Sequence, residues 1–427
     1  MAVLLGSQLG LLRRYRRRAF LVVLLAFLVI VVEPYHHVQT AFDYPRPSEN
    51  TDPPFFDQCI TPKDAADSTP RQSGVLFMMA RNNEADAAAK TVRNLENYFN
   101  QWYHYPWVFL NDQPFEKRFI ERVTKQVTNG TRLVFDTIGS PMWGWPEQFG
   151  EKQQVKAMKS WDRMVEGQGN EFRVGSHAQK ASYHHMCRFN SGFFFDHPAM
   201  REFKWYWRVE PGVSFTCDVP YDPFYHMAKR NKTYGYTIAL WELGRTAPSL
   251  FRATSDFADK LPGPRPALWQ ALHEASWAPW PIRKYLVPLF PSKNARGDGW
   301  NMCHFWSNFE IADLDFFRSE RYRDYFAHLD KLGGFHFERW GDAPVHSLAA
   351  AMFLQPEQIH YFEDIGYKHS PFQHCPENGC HCSCNTVGTV GQYCLDRIRT
   401  TVQPAVRDSG KSGGPWKLGA WGRGGLR

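Results

Sequence analysis

GVLFMMARNNEADAAAKTVRNLENYFNQWYHYPWVFL, residues 74–110, decides the fold. Residues 74–80 form a short apolar run of the kind that makes a buried strand, and Asn82 or Asn83 can cap a helix over 84–98. A second strand follows at 107–110, a helix at 114–126 and a third strand at 132–135. Strand, helix, strand, helix, strand with short connections is the opening of a parallel, nucleotide-binding α/β sheet. Such sheets take their ligands beyond the C-terminal ends of the strands. Attention therefore falls on Ala80-Arg81-Asn82, on Asn111-Asp112, and on Glu210-Pro211, which stops a later strand at 205–209.

Upstream, RRYRRR (13–18) runs into AFLVVLLAFLVIVV (19–32), fourteen apolar residues without a charge. That length is short of the ~20 residues of a typical membrane span and also suits a cleaved signal peptide. The dense arginine block on the side that stays cytoplasmic, and the absence of a small-x-small site in the following VVEPYHH, favour a retained signal-anchor. The chain then divides into a cytoplasmic basic tail (1–18), an anchor (19–32), a proline-rich stem (33–71), a catalytic domain (72–395) and a Gly-rich basic tail (396–427). The formal charge of +7 resides in the two ends, each contributing +5, so the body is mildly acidic at −3. No clustered basic face is implied, which argues against a nucleic-acid partner. Residues 245–298 are proline-rich with little periodicity and read as a large surface insertion.

Nine cysteines include Cys375, Cys380, Cys382 and Cys384 within HCPENGCHCSC (374–384). Behind a membrane anchor this cluster reads as a disulfide knot rather than a zinc site, with one thiol of the odd count left over. Asn129-Gly130-Thr131 and Asn231-Lys232-Thr233 are glycosylation sequons that suit the same lumen.

Four segments place charge inside aromatic runs: WYWRVEPG (205–212), HFWSNFEIADLDFF (304–317), FERWGDAPVHS (337–347) and FEDIGYKHSPF (362–372). A carboxylate among aromatics is costly unless paired, protonated or bound to a cation, and four such segments point to a cation-assisted site. Asp313-Leu314-Asp315 matches the D-x-D triplet of many nucleotide-sugar enzymes. Residues 309–332, however, read as an amphipathic helix, on which positions two apart do not face each other, so the triplet is set aside as capping or solvated charge.

The blocks YHHMCRFNSGFFFDHP (183–198), YWRVEPGVSFTCDVPYDPF (206–224), YGYTIALWE (234–242), NMCHFWSNFEIADLDFFRSERYRDYF (301–326), GGFHFERWGDAPVHSLAAAMFL (333–354) and HYFEDIGYKHSPFQHCP (360–376) closely resemble the fungal α-1,2-mannosyltransferase family, glycosyltransferase family 15. The resemblance runs in order from about residue 74 to 394. It implies a GT-A-like mixed sheet flanked by helices, GDP-mannose as donor, Mn²⁺ as cofactor, a mannose-ending N- or O-linked glycan as acceptor, and retention of the α configuration. It also implies a Golgi type II membrane enzyme with a luminal catalytic domain. Glu210 and His369 stand where the family's metal ligands stand, a pair whose chemistry suits Mn²⁺. Tyr183 matches a donor-contacting tyrosine, Glu310 the candidate nucleophile, and Asp342 and Glu242 lie in segments lining the acceptor side. Arg81 and Arg188 are added from their positions as donor-binding cations. A luminal metal-dependent glycan hydrolase and a non-catalytic glycan-binding subunit are the alternatives.

Overall fold

The computed structural model describes residues 2–41, 44–56 and 58–404. Its centre is a seven-stranded sheet of β1 (Gly74–Met79), β2 (Trp107–Asn111), β3 (Leu133–Thr137), β4 (Trp205–Arg208), β5 (Tyr234–Tyr236), β6 (Glu310–Asp313) and β7 (Ile359–Tyr361). The spatial order is β7-β5-β6-β4-β1-β2-β3. β1, β2, β3 and β4 run parallel, as do β5 and β7, while β6 runs against both β4 and β5. The sheet is therefore mixed, and its first three strands fall where the apolar runs of the sequence place them.

Alternation along the strands sends successive side chains to opposite faces. Leu76, Phe109, Trp207 and Ile311 pack on one face with Val92 and Leu95 of α1 (Ala85–Leu95). Phe77, Leu110, Tyr206 and Tyr234 pack on the other. That second face is covered by α2 (Ala181–Gly192), α3 (Glu320–Leu332) and α4 (Asp342–Phe353), through residues such as Phe189, Tyr325 and Leu348. Because β1 connects toward β2 on one side and pairs with β4 on the other, the chain changes direction at the β1/β4 seam. That is the place where an open α/β sheet holds a ligand.

Several boundaries differ from the sequence reading. The expected helix over 309–332 begins instead as strand β6, then turns through Leu314–Arg318 into α3. Phe309, Phe316 and Phe326 are all buried, but they belong to different elements, so their spacing mimics a single helical stripe. Asp313 caps the Leu314–Arg318 helix by accepting from the Asp315 amide at 2.9 Å, and both aspartates pair with Lys204.

The stem is not a free linker over its whole length. Asp52 is buried, and its carboxylate receives Lys232 at 3.0 Å, His360 at 2.6 Å and Arg399. Phe55 stacks on the His360 ring, and Cys59 is disulfide-bonded to Cys380. The catalytic body thus starts by about residue 50. It also ends later than 395, because α5 (Gln392–Arg399) contributes buried Ile398 and Arg399. The remainder of the expected tail, 405–427, lies outside the described residues.

The first half of the expected insertion is also part of the core. Leu250, Phe251, Leu268 and Trp269 are buried there, and only the stretch from Trp277 to Phe290 presents large apolar side chains to solvent. The cysteines close Cys59–Cys380, Cys217–Cys382, Cys303–Cys394 and Cys375–Cys384, with Cys187 buried and free. Three sulfurs, of Cys217, Cys382 and Cys384, lie within 4.8 Å of one another, but all are already in S–S bonds.

Candidate active site

A cavity of about 340 Å³ opens over the β1/β4 seam. Its floor is the strand ends: Met79, Ala80 and Arg81 after β1, Asn111 and Asp112 after β2, Glu210 and Pro211 after β4. Its wall is the start of α2, with His177, Lys180, Tyr183 and Met186, and His369 enters from a second, four-stranded sheet. The N-terminus of a twelve-residue helix beside Lys180 and Arg81 is a natural seat for phosphate oxygens. The positive field leaves its mark on His177. Burial first, then the charges of Lys180, Arg339 and Arg81, push its pKa below the usual histidine value.

The expected site residues separate into two depths. Glu210, His369, Tyr183 and Arg81 line the cavity. The Arg81 guanidinium donates to Ser182 Oγ at 2.8 Å, and its backbone amide is held by Glu84 at 2.8 Å. Asp342, Glu242 and Glu310 lie beneath, buried, and reach the cavity only through other side chains. Arg208 donates to Asp342 and, at 2.6 Å, to Glu210 Oε1, so Asp342 positions the acid on the cavity floor. Burial pushes the Asp342 carboxyl up, but the charges of Arg208 and His346 and the hydrogen bonds of Ser307 and Arg208 outweigh it and hold it below the usual range. Burial likewise opposes the Arg208 charge, yet Asp342, Glu210 and Glu310 keep that guanidinium firmly protonated. A parallel relay fixes Tyr183. Glu242 accepts from Arg339 at 2.7 Å, and Arg339 donates to the Tyr183 hydroxyl at 3.2 Å.

Glu310 does not reach the cavity. It is 0% exposed. Its carboxylate accepts from the Tyr206 hydroxyl and, at 2.5 Å, from Tyr234, with His346 Nδ1 3.1 Å from both oxygens. A carboxylate so enclosed stands below the cavity floor, held by two tyrosines and His346. Arg188 does not line the cavity either. It is buried in a two-pronged pair with Asp330 at 2.7 and 2.8 Å, and its remaining nitrogen donates to the Pro141 carbonyl. The reading missed Arg208, Lys180 and Arg339. Arg208 and Arg339 stand inside two of the aromatic segments, where the acids carry the stronger signal. Lys180 carries no signal beyond preceding a helix.

The cavity suits a divalent cation. Arg208 engages Glu210 Oε1, which leaves Oε2 for a metal. The His369 ring stacks on Trp306, and its Nδ1 lies 2.5 Å from the Asn308 amide. Asn308 Oδ1 is buried and otherwise unpartnered. With that oxygen turned to accept from Nδ1–H, Nε2 keeps its lone pair for a ligand, the usual arrangement behind a metal-binding histidine.

Residues 48–394 match the protein family described as Glycolipid 2-alpha-mannosyltransferase. The chain belongs to this family. Among similar members, the O-glycoside alpha-1,2-mannosyltransferase homolog 4 of Schizosaccharomyces pombe is 38% identical over 389 residues, 86% of each chain. Glycolipid 2-alpha-mannosyltransferase 2 of Candida albicans is 40% identical over 71% of this chain and 61% of its own. Core-mannan synthase A (CmsA/Ktr4) of Aspergillus fumigatus, solved in a Mn/GDP form, superposes with a TM-score of 0.64 at 35% identity, covering 84% of this chain and 90% of that one. The mannosyltransferase Ktr4p of S. cerevisiae, solved with GDP, gives 0.67 at 31% identity, over 86% and 90%. The mixed sheet and its cavity are therefore the family's GT-A-like mannosyltransferase fold.

Proposed function

We propose that this chain is a retaining α-1,2-mannosyltransferase that moves mannose from GDP-mannose to the 2-hydroxyl of a mannose-ending glycan with Mn²⁺, as a Golgi type II membrane protein facing the lumen. The observation that carries the chemistry is the convergence of Glu210 and His369 on one cavity beside Arg81, Lys180 and the start of α2. When bound by Glu210 and His369, Mn²⁺ supplies Lewis-acid neutralisation of the departing diphosphate. Arg81, Lys180 and the α2 amides bind the same phosphates from the other side. Tyr183, held by Arg339, contacts the donor beside them. Asp342 and Glu242 are positioning residues, acting through Arg208 and Arg339. Glu310 is a positioning residue for the same floor, and the enclosure of its carboxylate argues against covalent attack at the anomeric carbon. Asn111 and Asp112, at the end of β2, are placed for the nucleoside. The membrane assignment rests on one helix, residues Tyr15–Thr40, long and apolar enough to cross a bilayer.

The test is transfer by the full chain from GDP-mannose to α-methylmannoside, with and without Mn²⁺, followed by linkage analysis of the product. An α-1,2-linked dimannoside is expected. Release of free mannose from a glycan in the absence of GDP-mannose would favour the hydrolase, and GDP-independent glycan binding without turnover would favour a non-catalytic subunit. His369→Ala should raise the Mn²⁺ requirement by at least the roughly 10–100-fold that loss of an outer-shell partner costs a metal site. An unchanged Mn²⁺ requirement in that variant would remove His369 from the metal.

A further inference from the structure

Large apolar side chains are conspicuous in one stretch of the catalytic body. Trp277 is 62% exposed, Tyr285 60%, Leu289 77% and Phe290 62%, with Trp280 and Leu286 also exposed between them. A contiguous exposed patch of this kind marks an interaction surface. Its position says which one. The apolar run of the N-terminal helix ends at Val32, and the next residue, Glu33, is bound to this stretch. Glu33 accepts from the Trp280 backbone amide at 2.9 Å and pairs with the Arg283 guanidinium. One turn on, His37 pairs with Asp298 at 2.8 Å, and Pro34 between them is buried. Residues 15–32 of the helix are free of the body, none of them buried.

From this juxtaposition we propose that residues 277–290 form a second membrane contact, lying in the luminal headgroup layer of the same bilayer that the N-terminal helix spans. The inference rests on reading that helix as the anchor. If residues 19–32 occupy the hydrocarbon, Glu33 sits at its luminal edge, and the Glu33 contacts fix Trp280 and Arg283 at that depth. Tryptophan and tyrosine are the residues that settle at this boundary, with one end apolar and the other wet. Lys284 lies over the Trp280 and Tyr285 rings, at 5.7 and 5.3 Å from their centroids, so a cation rides on the aromatic surface within reach of lipid phosphates. The short helix Trp280–Tyr285 and the turn Val287–Leu289 thus behave as a monotopic foot beside the anchor. Two points of attachment hold the body in one orientation on the membrane, where a single helix would leave it free to swivel.

The experiment uses the full chain in liposomes, with single cysteines introduced in turn and labelled with an environment-sensitive fluorophore. The native free thiol, Cys187, is buried and gives the background. Tyr285→Cys and Leu289→Cys report on the foot, Ile30→Cys on the anchor, and Lys117→Cys on the exposed surface behind β2 and β3. Retained transfer activity in each labelled protein shows that it has folded. In liposomes the labels at 285, 289 and 30 should be blue-shifted, and lipids carrying a shallow spin label should quench them, while 117 is unaffected by either. Quenching at 30 with 285 and 289 as bright as 117 overturns the foot while leaving the anchor in place. No quenching at 30 means that the anchor reading has failed, and the foot falls with it. A blue shift at 285 and 289 without quenching, accompanied by cross-linking between copies, overturns the proposal in favour of a second copy of this chain.

Discussion

The half of the sheet made of β1, β2 and β3 and the half made of β4, β6 and β5 meet beneath one cavity, yet they are held by different forces. In the first half the strand residues are an apolar stack: Leu76, Phe77, Val108, Phe109 and Leu110 are all buried. In the second half the buried face carries Arg208, Glu310 and the hydroxyls of Tyr206 and Tyr234, answered from α4 by Asp342 and His346. The first half resists unfolding through area removed from water and could exchange one aliphatic residue for another at modest cost. The second is a network in which each charge is tolerated only because its partner is present. Glu210, the acid on the cavity floor, is therefore positioned by the half that is least forgiving of change.

Four outcomes test that contrast. Arg208→Met should lower unfolding free energy by about 3–5 kcal/mol, because Asp342 is left charged and buried without its partner. Leu76→Ala should lose a similar amount, about 2–5 kcal/mol, by leaving a cavity. The two differ in rescue. Adding Asp342→Leu to Arg208→Met should recover most of the stability in denaturant titrations but none of the transfer activity, since Glu210 still lacks its guanidinium. Recovery of activity in the double variant would break the link from Asp342 to Glu210.

Glu310→Gln is next in size. It places an amide against two tyrosine hydroxyls and should cost about 1–3 kcal/mol. GDP affinity should remain near native, and turnover should fall by less than the roughly 10²–10³-fold expected for a direct electrostatic partner of the reaction. A stable Glu310→Gln enzyme with turnover down beyond that range would return Glu310 to the reacting centre.

Histidines outside that network should also make the protein acid-sensitive. Burial depresses His185, His273 and His360 to about 4 and His336 to about 2, with neighbouring histidines or arginines adding to the effect in His185, His336 and His360. Below the usual histidine value of 6.5 the unfolded chain binds protons that the folded chain refuses, so stability falls as pH falls toward 4. Burial raises Asp222 to about 6 and Asp364 to about 7, and these two work in the opposite sense. The four histidines outnumber them. The expected slope is about 1.4 kcal/mol per pH unit for each net proton taken up on unfolding. His336→Gln should flatten it, as followed by thermal midpoints between the two pH limits.

The smallest effects belong to the D-x-D look-alike. Asparagine caps a helix as well as aspartate, and the Lys204 end of both pairs is half exposed, with Asp315 more open than Asp313. Asp313→Asn and Asp315→Asn should each change stability by less than about 1 kcal/mol and leave the Mn²⁺ requirement unaltered.

The apolar half was legible in the sequence and the network was not, for a physical reason. GVLFMMA and WVFL are bounded by polar residues, so local pattern alone announces strands, and the neighbours they need lie about 30 residues away. Arg208 and Asp342 are 134 positions apart, and nothing near either one names the other. An acid within an aromatic run signals that a partner exists, which marks the segments of Glu210, Asp342 and Glu310, while the roles expected of those three came from the family resemblance. It does not reveal depth, which is why Glu310 was expected in the cavity and lies below it. Asp313 shows the converse. The helix assigned to 309–332 was too long by a strand, yet the function inferred for its aspartates, capping, is the one Asp313 performs.

The bond between Cys59 and Cys380 has a consequence for what a proteolytic cut in the stem does. Residues 58–61 and 67–68 are exposed, so the chain offers a protease sites both just before Cys59 and between it and β1. A cut on the β1 side leaves the body covalently joined to the N-terminal helix through Cys59–Cys380. A cut just upstream of Cys59 removes the covalent link, and the N-terminal segment is then held only by contacts such as those of Asp52 with Lys232, His360 and Arg399. A difference of a few residues in the cleavage site thus separates a nick that leaves both parts covalently joined from one that leaves them joined by noncovalent contacts alone.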